Sequence, residues 1–321
     1  LEKTIVDRYE MDPTKIKNLK LTGNITTEDY TFMRSKMTSL QRLNLKEVES
    51  VVDGVYKIPS GAFYNKKTLM KCVLPDRLER IEENAFYGTV LTGSVVLPEG
   101  LKYVSGFRET KITSVQFPST LEVIGNSAFD RCSSLMCEIN LPESIKLIED
   151  SAFNSTGIKG NLSLPHNLES IGSSAFHGCR NLTGSLVIPD KVKTINNSAF
   201  GYCGFTGTLT LPDGLTEIQR SAFSLTSFKG ELNIPSSVTI IGAYAFEMTK
   251  FSGTLVLPSE LVSLGERVFY NCSRLSGVIE IPENILAIPS RLFDGCSKLE
   301  GIKLHKDVEV IESQAFYNCT S

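Results

Sequence analysis

Two apolar residues flanking a variable one, then a proline, recur along the chain: Val95/Leu97 before Pro98, Ile139/Leu141 before Pro142, Leu186/Ile188 before Pro189, Leu232/Ile234 before Pro235 and Ile279/Ile281 before Pro282. Alternation with period two describes a strand that buries one face, and the proline ends it because it has no N–H for the next ladder bond. Three and six residues past the proline stand two more apolar positions, as in Val192/Ile195, Leu215/Ile218, Val238/Ile241 and Leu261/Leu264. A polar residue follows (Asn126, Asp150, Ser173, Asn197 or Ser313) and then a Ser-Ala-Phe or similar phrase. That combination predicts a one-turn helix with its Phe inserted into the core.

The aromatic of this phrase returns as Phe63, Phe86, Phe107, Phe129, Phe153, Phe176, Phe200, Phe223, Phe246, Phe269, Phe293 and Phe316, at intervals of 21 to 24 residues. A motif repeated this often marks an array rather than one active site. Each coil supplies about five apolar side chains, too few to bury themselves, but coils stacked ~4.8 Å apart bury them jointly. The expected fold is a right-handed, curved leucine-rich-repeat solenoid of about 12–13 coils, β-rich α/β, with a parallel sheet on the concave face and short helical turns on the other side.

The cysteines follow the same period. Cys132, Cys179, Cys203, Cys272, Cys296 and Cys319 each stand three residues after the repeat Phe, a slot that Thr89, Thr110, Thr156, Thr226 and Thr249 fill in other coils. Cys exchanging with Thr describes a small, weakly polar, buried slot where the thiol serves packing. His177 and Cys179 therefore do not read as base and nucleophile, since side chains two residues apart on a short helix diverge. Cys72 and Cys137 stand outside the column and receive no role. His166, His177 and His305 occupy different points of the repeat, so they assemble neither a Ser-His-Asp triad nor a metal site, and no Cys-x-x-Cys pair has zinc spacing. No enzymatic activity, cofactor or metal is expected.

A glycine column, Gly93, Gly160, Gly184, Gly207, Gly230, Gly253 and Gly277, lies five residues before the prolines. There a turn enters the strand, and either a positive φ or a close neighbour is expected.

The net charge of −3, a pI near 5.8 and the absence of any Lys/Arg run argue against nucleic acid and anionic membranes as partners. No apolar run approaches the length that crosses a bilayer. The chain begins at Leu1, so any export signal or lipid anchor is expected to lie outside it. Residues 1–57 break the period and read as a capping region of strand, helix and strand: Ile16 to Leu21 and Leu40 to Leu45 as L-x-x-L-x-L strands, with a helix over Thr27 to Met37 capped by Thr26 or Thr27. Residues 58–321 are the repeats. The last is incomplete at Cys319-Thr-Ser, which predicts a missing cap or a coil that packs on another molecule, self-association included.

The stretches "IPSSVTIIGAYAFEMT" (234–249) and "LPHNLESIGSSAFHGC" (164–179), with the 23-residue period, resemble the BspA-like, or Treponema-type, leucine-rich repeats. The leading "LKLTGNITTEDYTFMRSKMTSLQRLNL" is similar to the N-terminal part of family members from Bacteroides-type anaerobes. The resemblance implies an extracellular or cell-surface protein, often a lipoprotein, with adhesins for host matrix or other bacteria among its relatives. A Leu/Phe-x-Gly insertion before most strands, as in "LTGSLVIP" and "FSGTLVLP", departs from the family pattern.

Binding by a solenoid belongs on the outward positions of its sheet. Two and four residues before each proline these are small, β-branched or polar, and the candidate ligand-binding set is Gln116, Glu138, Asn140, Asn161, Ser163, Thr208, Thr210, Glu231 and Asn233. The amide groups supply hydrogen bonds and the two glutamates charge. A contrary surface carries Tyr64, Tyr87, Tyr202, Tyr270 and Tyr317, on or just after the repeat turns. The expected partner is a protein, extracellular matrix or another bacterial surface protein. The alternatives are polysaccharide capture, which the lack of aromatic platforms weakens, and a structural spacer presenting another domain.

Overall fold

The computed structural model describes residues 1–2, 5–6 and 9–321. They form a stack of short parallel strands and turns, with little helix, divided into two compact units, Leu1–Gly157 and Ile158–Ser321.

The first unit contains, in chain order, β1 (Asn18–Asn24), α1 (Thr27–Ser35), β2 (Arg42–Glu49), β3 (Val51–Val52), β4 (Val55–Ile58), β5 (Lys71–Val73), β6 (Arg80–Ile81), β7 (Thr92–Val96), β8 (Tyr103–Val104), β9 (Lys111–Gln116), β10 (Val123–Ile124) and β11 (Leu147–Ile148). One wall is made of two short parallel sheets, β1-β2-β5 and β7-β9, in which β5, β7 and β9 run toward Pro75, Pro98 and Pro118. The opposite wall sets β4, β6, β8, β10 and β11 side by side; the antiparallel β3–β4 hairpin starts it, and β6, β8, β10 and β11 each lie five and six residues past a proline. Residue 57 lies in β4, inside this unit.

α1 starts at the Thr26 cap, where the Asp29 carboxylate accepts the Thr26 N–H at 2.9 Å. Its far end is closed by a residue from the repeats. Lys66 occupies the slot that holds Cys or Thr in the later coils. It is buried, and its ammonium donates to the Arg34 and Met37 carbonyls at 3.2 and 2.7 Å, next to the helix C-terminus where a cation is favoured. Lys66→Thr, the residue native to this slot elsewhere, is expected to cost about 2 kcal/mol in urea unfolding through loss of hydrogen bonds to a charged donor. Unchanged stability would show that the lysine only fills space.

The Ser-Ala-Phe phrases are not one-turn helices. Around Phe129, the N–H groups of Ser127, Phe129 and Arg131 donate to the carbonyls of Asp150, Ala152 and Asn154 in the next coil, at 2.9, 2.8 and 2.8 Å. The intervening Ala128, Asp130 and Cys132 donate back three residues along their own coil. A helix would direct all of these donors along its own axis. Sharing them between coils requires the left-handed backbone at two points, φ +51° at Ser127 and +56° at Arg131, and the same pattern holds at Ser174, Ser198 and Ser221. Each costs about 1 kcal/mol, offset by bonds that tie coil to coil.

In the second unit the same wall is built from residues 194–195, 217–218, 240–241 and 263–264, paired in parallel in that order. Between the walls runs a stack of rings. Phe176, Phe200, Phe223, Phe246, Phe269, Phe293 and Phe316 follow one another at 5.5 to 6.1 Å with planes within 12° of parallel. Phe63, Phe86, Phe107, Phe129 and Phe153 stack in the first unit at 5.1 to 5.7 Å with planes within 18° of parallel. The Leu/Phe-x-Gly insertion is core as well: Phe205, Phe228 and Phe251 form a second buried stack, edge-on to the first.

The Cys/Thr slot is a shared hydrogen-bonding position. The Phe246 carbonyl accepts the Thr249 hydroxyl of its own coil at 2.8 Å and the Cys272 thiol of the next coil at 3.1 Å. The Phe107 carbonyl likewise takes Thr110 at 2.7 Å and Cys132 at 2.9 Å. All eight cysteines are free thiols. Cys179 is fully buried, and the ring of His177 rests 5.1 Å from that of Tyr202.

Candidate binding surface

The strand that enters each proline turns alternate side chains outward, and all nine candidate residues are exposed. The two units divide them. Gln116, Glu138 and Asn140 belong to the first, where Gln116 ends β9 opposite Val96. Glu138 and Asn140 lie in extended chain outside the strands.

Asn161, Ser163, Thr208, Thr210, Glu231 and Asn233 belong to the second unit. Thr210 is the register partner of Val187, and Asn233 bridges Val256, so threonine and asparagine are flanked by valines that are 60% and 73% exposed. One row over, Thr208 donates through both its N–H and its hydroxyl to the Ser185 hydroxyl, at 3.0 and 3.1 Å.

The glycine column explains how these rows lie flat. A side chain added at Gly184, where φ is +74°, would meet the Asn161 carboxamide, and one at Gly207 would come within 2.6 Å of the Gly184 backbone. In the second unit the polar side chains of Asn161, Ser185, Thr208, Glu231 and Thr254, four residues before their prolines, thus rest against the glycine of the following coil.

Of the tyrosines on the turn side, Tyr64 packs on Tyr87 at 5.1 Å and keeps 44% of its surface exposed. Arg220 and Arg267 lie over the Tyr244 ring at 4.5 and 5.5 Å. These are edge stacks along the coils. Among the described residues no group of three or more His, Cys, Asp or Glu could hold a metal ion, and no helix is long and apolar enough to cross a membrane.

One feature of the first unit escaped the outward-position rule because it comes from an inward one. Cys72 sits three residues before Pro75, in the column that Val95, Val115, Ile139 and the later coils fill with branched aliphatics. Beside it the surface opens into a crevice of about 200 Å³. The signal was present as a small residue in a large-residue column.

Comparison with known proteins agrees with this architecture. The family model for the BspA type leucine rich repeat region matches residues 56–183, 104–229, 160–276 and 225–321. No curated protein matches the chain. Among solved structures, a leucine-rich repeat protein from Bacteroides ovatus is similar at a TM-score of 0.61 and 26% identity, over 88% of this chain and 73% of that one. A leucine rich cell surface protein from Faecalibacterium prausnitzii matches at TM-score 0.46 and 19% identity, over 90% of this chain and 88% of that one. The pneumococcal vaccine antigen PcpA matches at 0.47 and 19%, over 92% and 69%. With overlapping matches running from residue 56 to residue 321, the chain belongs to the BspA-type leucine-rich-repeat family.

Proposed function

We propose that the chain is a non-enzymatic binding protein of the bacterial surface or its surroundings, adhesin-like, which holds a protein ligand on the outward strand face of its second unit. The observation that supports this most directly is the continuous exposed pair of rows Ser185–Thr208–Glu231–Thr254 and Val187–Thr210–Asn233–Val256. They set hydrogen-bonding groups between exposed Val187 and Val256 on a backbone held by stacked coils, a rigid surface that loses little conformational freedom on binding. Thr208, Thr210, Glu231 and Asn233 form its centre, and Asn161 and Ser163 extend it. Gln116, Glu138 and Asn140 form a separate contact set on the first unit. Family membership supports a binding role, since repeats of this kind present extended surfaces.

The test is solid-phase binding of the purified chain to a panel of extracellular matrix proteins and polysaccharides. The reading expects saturable binding to a protein and at least tenfold weaker binding by the Thr208→Ala/Glu231→Ala/Asn233→Ala variant. Binding to polysaccharide alone, or equal binding by the variant, contradicts it.

A further inference from the structure

On the first unit, β5 closes the sheet β1-β2-β5 and β7 begins another, joined to it by the bond from the Thr92 N–H to the Met70 carbonyl at 3.2 Å. The inward residue of β5 is Cys72, whose side chain is smaller than the Val, Leu or Ile of the same column. The smaller side chain widens the mouth of the crevice of about 200 Å³, whose apolar lining includes Cys72, Val73, Leu74, Leu91 and Val95. It lies above the fully buried rings of Phe86 and Phe107, and Lys71, Thr92 and Ser94 stand at its rim.

A second hollow of about 340 Å³ adjoins it on the face of β1, β2 and β5 and shares Lys71 and Val73 with it. There the register sets Arg42 opposite Lys71, both exposed. Neither has a carboxylate within 4.0 Å among the described residues, whereas Lys20 on the same face is paired with Glu47 at 2.6 Å. Like charges directly opposite on neighbouring strands destabilise a sheet, so a chain of net charge −3 keeps two uncompensated cations beside an apolar hollow.

We propose that this groove binds a peptide segment of a protein partner through one apolar side chain, seated in the crevice against Cys72 and Val95, and one carboxylate held between Arg42 and Lys71. The guanidinium offers the carboxylate a two-pronged contact and the ammonium a point charge. A peptide fits better than a polyanionic sugar because it supplies the apolar group that the crevice requires. The site shares no residue with the face of the second unit, so it stands or falls separately from the function proposed above.

The test uses the whole chain and a fluorescent octapeptide of glycine and serine carrying one phenylalanine and one glutamate two positions apart, about 6.6 Å in an extended chain. The peptide is expected to bind saturably and to weaken as salt is raised. At least tenfold weaker binding is expected when its glutamate is replaced by glutamine or its phenylalanine by alanine. Cys72→Leu, which restores the aliphatic column, is expected to unfold at the same or a higher temperature and to bind at least tenfold more weakly. The exposed pair Arg42→Gln/Lys71→Gln gives the same loss without touching the core. No saturable binding by the native chain, or equal binding by Cys72→Leu, overturns the proposal. So does a preference for dextran sulfate over the peptide that both variants retain. Peptide binding lost in Cys72→Leu supports it whatever the matrix panel shows.

Discussion

Phe223→Ala is expected to lower the unfolding free energy by about 3–5 kcal/mol, the range for removing a fully buried phenylalanine. Phe223 stacks on Phe200 at 5.7 Å and Phe246 at 5.6 Å and meets Phe228 edge-on at 6.1 Å. Its loss opens a void between two coil interfaces at once, and in an array stabilised by neighbour contacts each interface counts separately. Phe316 stacks on Phe293 alone, at 6.1 Å, and is half-buried. Phe316→Ala is therefore expected to cost about 1 kcal/mol. Urea unfolding of both variants measures the difference, and equal costs would contradict the picture of a continuous spine.

Stability is expected to fall steeply above pH 9. Burial pushes the Cys132 and Cys272 thiols up to about 11 from the ordinary thiol value of 9.0. Cys203 and Cys296 are pushed upward too, by burial first and by neighbouring thiols after it. The folded chain keeps these protons where the unfolded chain releases them. Their contribution is thus complete below pH 9 and is lost as pH rises toward the folded values. Between pH 9 and 11 each thiol costs up to about 1.4 kcal/mol per pH unit. Burial lowers Lys66, which acts in the opposite direction, but it is one group against several. Urea midpoints at pH 8, 9 and 10 are expected to drop progressively. The Cys132→Thr/Cys272→Thr variant, carrying the residue native to that slot in other coils, is expected to lose about two protons' worth of the slope. A flat profile in the native protein would sink this account.

The stacking of coils was legible because burial imposes a period on residue type. Pairs such as Leu186/Ile188 and Val192/Ile195 lie on facing walls, and every repeat Phe from Phe63 to Phe293 enters the core, as their spacing predicts. The turns were not legible. Ser-Ala-Phe reads as a helix start because serine caps helices, but Ser127, Ser174 and Ser198 instead adopt positive φ and send their N–H groups to the next coil. Whether an N–H is used along its own coil or across coils is not encoded in residue type alone. The β3–β4 hairpin had a signal, Asp53-Gly54, with φ +53° and +77° as a tight turn requires.

Two columns carried more than their majority residue suggested. Lys66 in the Cys/Thr column closes a helix, and Cys72 in the aliphatic column opens a crevice. Exposure of the nine candidate residues follows from period two. Ligand choice does not, because threonine and asparagine suit a solvated strand as well as a contact.

The central claim is that ligand sits on the outward strand face of the second unit. The most direct measurement is alkylation of single introduced cysteines, read peptide by peptide, with and without the protein ligand found by the matrix panel. The column thiols Cys132, Cys203, Cys272 and Cys296 are buried and held as thiols, so they provide an unreactive background. Thr210→Cys is on the proposed face, and Val262→Cys, at a position 59% exposed, is four residues past Pro258 beside the opposite wall. The account predicts that ligand slows labelling of Thr210→Cys at least tenfold and leaves Val262→Cys unchanged; protection of Val262→Cys alone, or of neither, contradicts it.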